Sequence, residues 1–262
     1  AAMSKTVSTL PLLRIDGNVA TITLNRPARR NSLGDDDLRA LLAHFDAVNA
    51  NLSVQAVVLT ASTAGQPKPV FCAGYHVGGL ESGEHDPNFF EKIPDALERL
   101  RPISICAMNG SVYGGATDLV LACDLRLGLS GAELRMPAAA LGLHYYPSGL
   151  RRYVTRLGLN LAKRAFLTGQ SIPVEALQSV NLFEALVSPA QLDDAVNACV
   201  QQVLTMAPLA MQSTKASLNE LAAGHYHEEA LRAREVLTAT SRDFAEGRQA
   251  FAERRPAKFE GR

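Results

Sequence analysis

Tryptophan is absent from these 262 residues, and aromatic side chains of all kinds make up only 6% of them. No sign of charge dominates, since 26 Lys and Arg stand against 26 Asp and Glu. That balance removes any general attraction to nucleic acid or to an acidic membrane, although it leaves room for a local basic patch. The four cysteines, Cys72, Cys106, Cys123 and Cys199, form no CxxC pair and sit in apolar runs. Buried free thiols are therefore expected, with neither a disulfide framework nor a zinc site. No apolar run is long enough to span a bilayer. The opening residues lack a basic segment followed by an apolar stretch, so no secretory signal is expected and the cytoplasm is the default location. Low-complexity segments and fixed-period repeats are also missing. Neither GxGxxG nor GxxxxGK[ST] occurs, and Pro147-Ser148-Gly149 is not a GxSxG elbow, which sets aside dinucleotide, P-loop and serine-hydrolase sites.

What is present is a chain with 47% hydrophobic residues, long enough to bury a substantial core. Val19 to Leu24 alternates as a strand does and is closed by Asn25-Arg26-Pro27. Asp35 to Val48 places Leu38, Leu41, Leu42, Phe45 and Val48 at helical spacing. Ala56 to Leu59 reads as a buried strand, and Gly65, Pro67 and Pro69 punctuate the loop after it. Phe89 to Leu100 reads as helical with a break near Pro94. Ile103 to Met108 is another strand, a helix is expected after Gly114-Gly115, and Leu125 to Leu129 is strand-like again. Strands separated by helices indicate an α/β class with parallel pairings. From about Ser148 the periodicity is helical, with only Leu182 to Val187 reading as a strand. The expected organisation is an α/β core over 1–190 and a helical region over 191–262 that packs on the core or on another subunit.

Two segments carry glycine where no simple turn is needed. One is Val70-Phe71-Cys72-Ala73-Gly74-Tyr75-His76; the other is Asn109-Gly110-Ser111-Val112-Tyr113-Gly114-Gly115-Ala116-Thr117-Asp118. Glycine at a helix start lets a ligand approach the backbone and leaves N–H groups free. Such donors suit a developing negative charge, and two converging on one oxygen make an oxyanion hole. Taken alone, each is more often a packing turn than a functional loop.

The pairing of the two segments resembles the signature of the crotonase (enoyl-CoA hydratase/isomerase) superfamily. Thr23-Leu24-Asn25-Arg26-Pro27, Asn31-Ser32-Leu33, Leu167-Thr168-Gly169 and Phe251-Ala252-Glu253-Arg254-Arg255-Pro256 agree in the same register. The resemblance implies a crotonase-like spiral of ββα repeats followed by a C-terminal helical trimerisation region, in trimers or hexamers built as paired trimers. It also implies an acyl-CoA thioester whose carbonyl oxygen meets the N–H groups of Tyr75 and Gly115, flanked by Gly74 and Gly114. Arg29 or Arg30 would lie near the 3′-phosphate, Ala73 along the path of the nucleotide and pantetheine, and Phe251 and Arg254 would reach in from a neighbouring subunit. Coenzyme A would be part of the substrate, and no separate cofactor or metal is implied.

One departure bears on the reaction. The two glutamates with which hydratases hold and deprotonate water fall on Asp118 and Ala138. The first is one methylene short and the second is missing, and a misplacement near 1 Å costs about a hundredfold in rate. Leu141-Gly142-Leu143-His144-Tyr145-Tyr146 stands in the substrate-facing loop and resembles the methylmalonyl-CoA decarboxylase branch, with Tyr145 at its tyrosine. Decarboxylation of a malonyl thioester needs no base for its first step. On this reading Asp118 is either a general acid or base or a satisfied helix-start carboxylate, and Tyr145 is either a hydrogen-bond donor to substrate or a packing aromatic. His144 and Tyr146, one position away, would exchange roles with Tyr145 if the register slipped, and His76 is either an acid–base group or a turn cap. Asp124 reads as structural. A binding protein that has lost catalysis remains a competitor from another class. An RNA-binding member of the superfamily is also known, but the zero net charge and the absence of a lysine-rich helix argue against that role here.

Overall fold

The computed structural model describes residues 7–76 and 86–262. Its chain order is β1 (Leu12–Asp16), β2 (Val19–Leu24), α1 (Asp35–Ala50), β3 (Ala56–Ala61) and β4 (Val70–Cys72). Next come α2 (Lys92–Glu98), β5 (Ile103–Met108), β6 (Ser111–Tyr113), α3 (Ala116–Ala122), β7 (Leu125–Leu129) and β8 (Glu133–Arg135). The remainder is α4 (Pro147–Leu157), α5 (Leu159–Lys163), β9 (Ile172–Pro173), α6 (Val174–Gln178), β10 (Ala185–Val187), α7 (Pro189–Leu204), α8 (Pro208–Ala223), α9 (Glu228–Ala239) and α10 (Arg242–Glu253).

The strands divide between two sheets in alternation. One sheet runs β1-β2-β3-β5-β7-β10 and the other β4-β6-β8-β9. Each turn of the chain therefore leaves one strand in the larger sheet, the next in the smaller, and then a helix: β3-β4-α2, β5-β6-α3, β7-β8-α4. This is the ββα spiral that the family resemblance implies. Apart from the antiparallel pairs β1–β2 and β8–β9, neighbouring strands are parallel. The sequence reflects position in the sheet. Strand β2, second from the edge, alternates, with Ala20, Ile22 and Leu24 buried, whereas every residue of central β5 is buried. Parallel strands covered on both faces read as continuous apolar runs.

Helix α1 buries Leu38, Leu41, Phe45 and Val48 and opens on Asp35, Asp36 and Asp37, where negative charge complements the helix dipole. Pro94 does not break its helix. Since α2 begins at Lys92, the proline falls in the first turn, where its missing N–H has no intrahelical partner to lose. Helix α7 lays Leu192, Val196, Val200 and Val203 against the core and packs on β3, β5 and β7. The helices beyond it are thinly buried: α9 has no buried residue, and Leu218, Leu221, Val236, Leu237, Phe244 and Phe251 are exposed. Among the described residues no helix is long and apolar enough to cross a membrane.

Candidate active site

The two glycine segments cross. After β4, the Ala73 N–H donates to the Arg30 carbonyl at 2.8 Å, the Leu33 N–H to the Gly74 carbonyl at 2.9 Å, and the His76 N–H to the Leu33 carbonyl at 3.1 Å. These bonds lash residues 73–76 to the segment 30–33. That segment is held in turn by buried Asn31, whose amide accepts from the Arg26 N–H at 2.8 Å and donates to the Ser62 carbonyl at 2.9 Å. Gly74, at φ +109°, passes directly over the second segment. A Cβ there would stand 2.9 Å from the Tyr113 carbonyl oxygen and 3.7 Å from the Gly114 Cα, so only glycine permits the approach.

Just past this crossing, the N–H groups of Tyr75 and Gly115 have no hydrogen-bond partner among the described residues. Their neighbours do: the Gly114 N–H donates to the Arg135 carbonyl at 2.9 Å. An aromatic wall rises beside them. Phe90 packs so closely on Gly115 that a Cβ there would lie 2.8 Å from its ring. The Phe90 ring stacks on Tyr75 at 5.1 Å and leans on Tyr146 at 6.2 Å. The Tyr75 hydroxyl donates to Asp35 at 2.6 Å, and burial together with that carboxylate pushes the phenol above its ordinary range. Arg30 spans both segments, its guanidinium 5.2 Å from the centre of the Tyr113 ring.

Three residues into α3 the character reverses. Asp118 is fully buried and both its oxygens are engaged. Oδ1 accepts from Arg152 Nε at 2.7 Å, while Oδ2 accepts from Arg152 Nη2 at 2.6 Å and from the Tyr146 hydroxyl at 2.5 Å. The Tyr145 hydroxyl donates to that of Tyr146 at 3.0 Å, so one directed chain runs Tyr145 to Tyr146 to Asp118. Arg152, itself without exposure, also meets Glu98 and, at 3.1 Å, Asp95. Glu98 in turn takes Arg151 at 2.7 Å and Arg156 at 3.6 Å. Burial lowers the Arg152 guanidinium, but the hydrogen bonds and charges of Asp118 and Glu98 outweigh it and hold the group above its ordinary value. Burial and the Asp118 charge push both Tyr145 and Tyr146 up, so these hydroxyls keep their protons.

The remaining sequence candidates scatter. Ala138 is buried at the start of the short turn that leads to the tyrosines. His144 is exposed, with Nδ1 turned back to the Tyr145 carbonyl at 2.8 Å. His76 is exposed beside the first segment, and Arg29 is exposed next to Arg30. Phe251, 88% exposed, and Arg254 lie on and just past α10. Asp124 holds the Ser104 N–H at 2.8 Å and Lys215 at 2.7 Å, ties that fix α8 to the sheet.

Sequence reasoning missed Arg152 and the contact that Tyr146 makes. A signal was available. Gly149, Arg152, Tyr153 and Leu157 are the buried residues of α4, and their spacing puts the arginine on the apolar stripe. A cation on that stripe calls for a buried anion opposite.

Comparison with known proteins agrees over most of the chain. The 2,3-dehydroadipyl-CoA hydratase of Escherichia coli is 28% identical over 93% of this chain and 96% of its own length. The short-chain-enoyl-CoA hydratase of Clostridium acetobutylicum is 27% identical over 79% of this chain and 80% of its own. A crystal structure of an enoyl-CoA hydratase/isomerase family protein from Hyphomonas neptunium superposes with a TM-score of 0.85 at 27% identity, covering 96% of this chain and 98% of that one. The family model described as enoyl-CoA hydratase/isomerase matches residues 14–262, and the chain belongs to that family.

Proposed function

We propose that the protein acts on an acyl-CoA thioester by stabilising its enolate between the N–H groups of Tyr75 and Gly115. The observation that carries this reading is the pair of donors, unpartnered among the described residues, beside a crossing that only glycine allows. Tyr75 and Gly115 are only partly buried, so their N–H groups are open to a ligand, and such a pair beside an aromatic wall suits an incoming oxyanion. Arg30 and Arg29 would face the nucleotide phosphates, with Ala73 on the path between. Phe251 and Arg254 would act from a neighbouring subunit, in a trimer or a dimer of trimers that also covers the exposed apolar side chains of α8 to α10. Coenzyme A enters as part of the substrate, and the scheme calls for no further cofactor.

Within the hydratase/isomerase class, one observation favours decarboxylation of a malonyl-type thioester over addition of water. Both Asp118 oxygens are taken, and Ala138 supplies no second carboxylate. In that reaction the bond from Cα to the substrate carboxyl breaks and carbon dioxide leaves. The electron pair passes into the enolate, with its charge on the thioester oxygen. Cα then takes a proton from a tyrosine hydroxyl, which solvent replenishes. Tyr145 is the better donor, because its hydrogen rests on a neutral hydroxyl whereas that of Tyr146 rests on a carboxylate.

The test is mass spectrometry of the products after separate incubation with methylmalonyl-CoA and crotonyl-CoA. Loss of carbon dioxide from the first is expected. Addition of water to the second at a comparable rate would establish a hydratase instead. Tight thioester binding with neither product would identify a catalytically silent homologue.

A further inference from the structure

We propose that Tyr146 is a water-excluding, specificity-determining residue, locked by Asp118 and Arg152 over the carboxylate that water would otherwise reach. The proposal rests on the reading of Tyr75 and Gly115 as thioester donors and deepens it. Asp118 sits one helical turn beyond Gly115, yet no solvent touches it. Its third hydrogen bond comes from a phenol at 2.5 Å, which takes an acceptor position on Oδ2 that a water would otherwise use. Arginine takes two more at 2.7 and 2.6 Å, and the carboxylate is wholly buried with the ring in place, so water gains it only if the ring moves.

The ring cannot swing away cheaply. Pro147 at the first position of α4 confines the preceding residue to extended backbone, and Tyr146 lies at φ −74°, ψ 152°. Tyr145 flanks the ring at 4.2 Å and Phe90 at 6.2 Å. Behind it, a Cβ on Gly149 would collide with the rings of both tyrosines, so the helix presents bare backbone there to seat them. Burial and the adjacent carboxylate keep the Tyr146 hydroxyl protonated, which makes it a permanent donor to Asp118. On this assignment Asp118 and Arg152 are positioning residues, and enolate chemistry proceeds with water kept from the carboxylate.

Removing the ring is the direct test. Tyr146→Ala and Tyr146→Phe are each prepared in the native chain and with Ala138→Glu, which supplies the second carboxylate that hydratases carry. They are assayed for conversion of crotonyl-CoA to 3-hydroxybutyryl-CoA. In that step a water O–H bond breaks, its oxygen bonds to C3, and the proton reaches C2 by way of Asp118. Tyr146→Ala with Ala138→Glu is expected to form about 100-fold more product than Ala138→Glu alone, the scale of a newly available acid–base group. Tyr146→Phe keeps the bulk and is expected to show no gain. A crystal structure of Tyr146→Ala is expected to hold an ordered water on Asp118 Oδ2. A dry carboxylate there, or equal product from all variants that still bind thioester by calorimetry, overturns the proposal. Failure of the native protein to bind any acyl-CoA would instead sink the thioester reading on which it rests.

Discussion

Two ends of one short helix follow opposite rules. At the N-terminal end of α3, the N–H of Gly115 and, across the crossing, that of Tyr75 have no partner among the described residues and lie beside the stacked Tyr75 and Phe90 rings. A turn later, Asp118 is fully buried with both oxygens engaged by Arg152 and Tyr146. Donors left open at a partly buried helix start are available to a ligand that completes them. A saturated buried ion pair adds little net stability but costs heavily when half of it is lost. The first end is thus open for chemistry and the second is closed to hold a shape. Both are built from the same strand–helix junction.

The sharpest way to break this contrast is to remove the cation. Arg152→Met leaves Asp118 and Glu98 buried without their shared partner. It should destabilise the fold by about 3–5 kcal/mol, read from urea unfolding. Pairing it with Asp118→Leu should recover a large part of that loss, because two apolar groups replace two charges. No recovery would mean that the two charges are not coupled through each other.

The open end should respond differently. Gly74→Ala places a Cβ against the Tyr113 carbonyl at positive φ, for a strain of about 1–3 kcal/mol. The loop should relax by separating the two donors, so thioester affinity by calorimetry should fall about tenfold or more. An alanine variant that binds as the native protein does would show that the crossing is packing alone.

Much of this was legible in advance, and the exceptions are physical. The larger sheet announced itself through β-branched apolar runs such as Val19–Leu24 and Ile103–Met108. The smaller sheet did not. Its strands Val70–Cys72, Ser111–Tyr113, Glu133–Arg135 and Ile172–Pro173 are too short for an alternation to develop. The glycine segments could be located because close approach restricts the residue type. The partner of Asp118 could not be named, because a buried ion pair joins residues 34 positions apart and leaves no local pattern. Tyr145 and Tyr146 are adjacent and chemically alike, so only three-dimensional direction separates the one on the carboxylate from the one behind it.

Between the two tyrosines and Asp118, turnover should discriminate. Tyr145→Phe should lower kcat by about 10- to 100-fold at unchanged KM, as expected for a group that acts on the transition state. Asp118→Asn should lower it less, because Tyr146 retains an acceptor in the amide oxygen. Reversal of that order would return proton transfer to Asp118 and reopen the closed end as a catalytic one.

The smallest expected effect is on pH. Folding raises Tyr145 and Tyr146 above their unfolded value of about 10. A raised phenol binds its proton more tightly in the folded state. Its contribution is therefore complete below that unfolded value and drains away as pH climbs toward the folded one. Stability should hold level through neutrality and begin to fall near pH 10, at about 1.4 kcal/mol per pH unit for each such phenol. Tyr146→Phe, with one fewer phenol to ionise, should flatten the alkaline slope by about that amount. An unchanged slope would mean that the hydroxyl on Asp118 is not insulated from solvent, and the closed end would then differ from the open one in geometry alone.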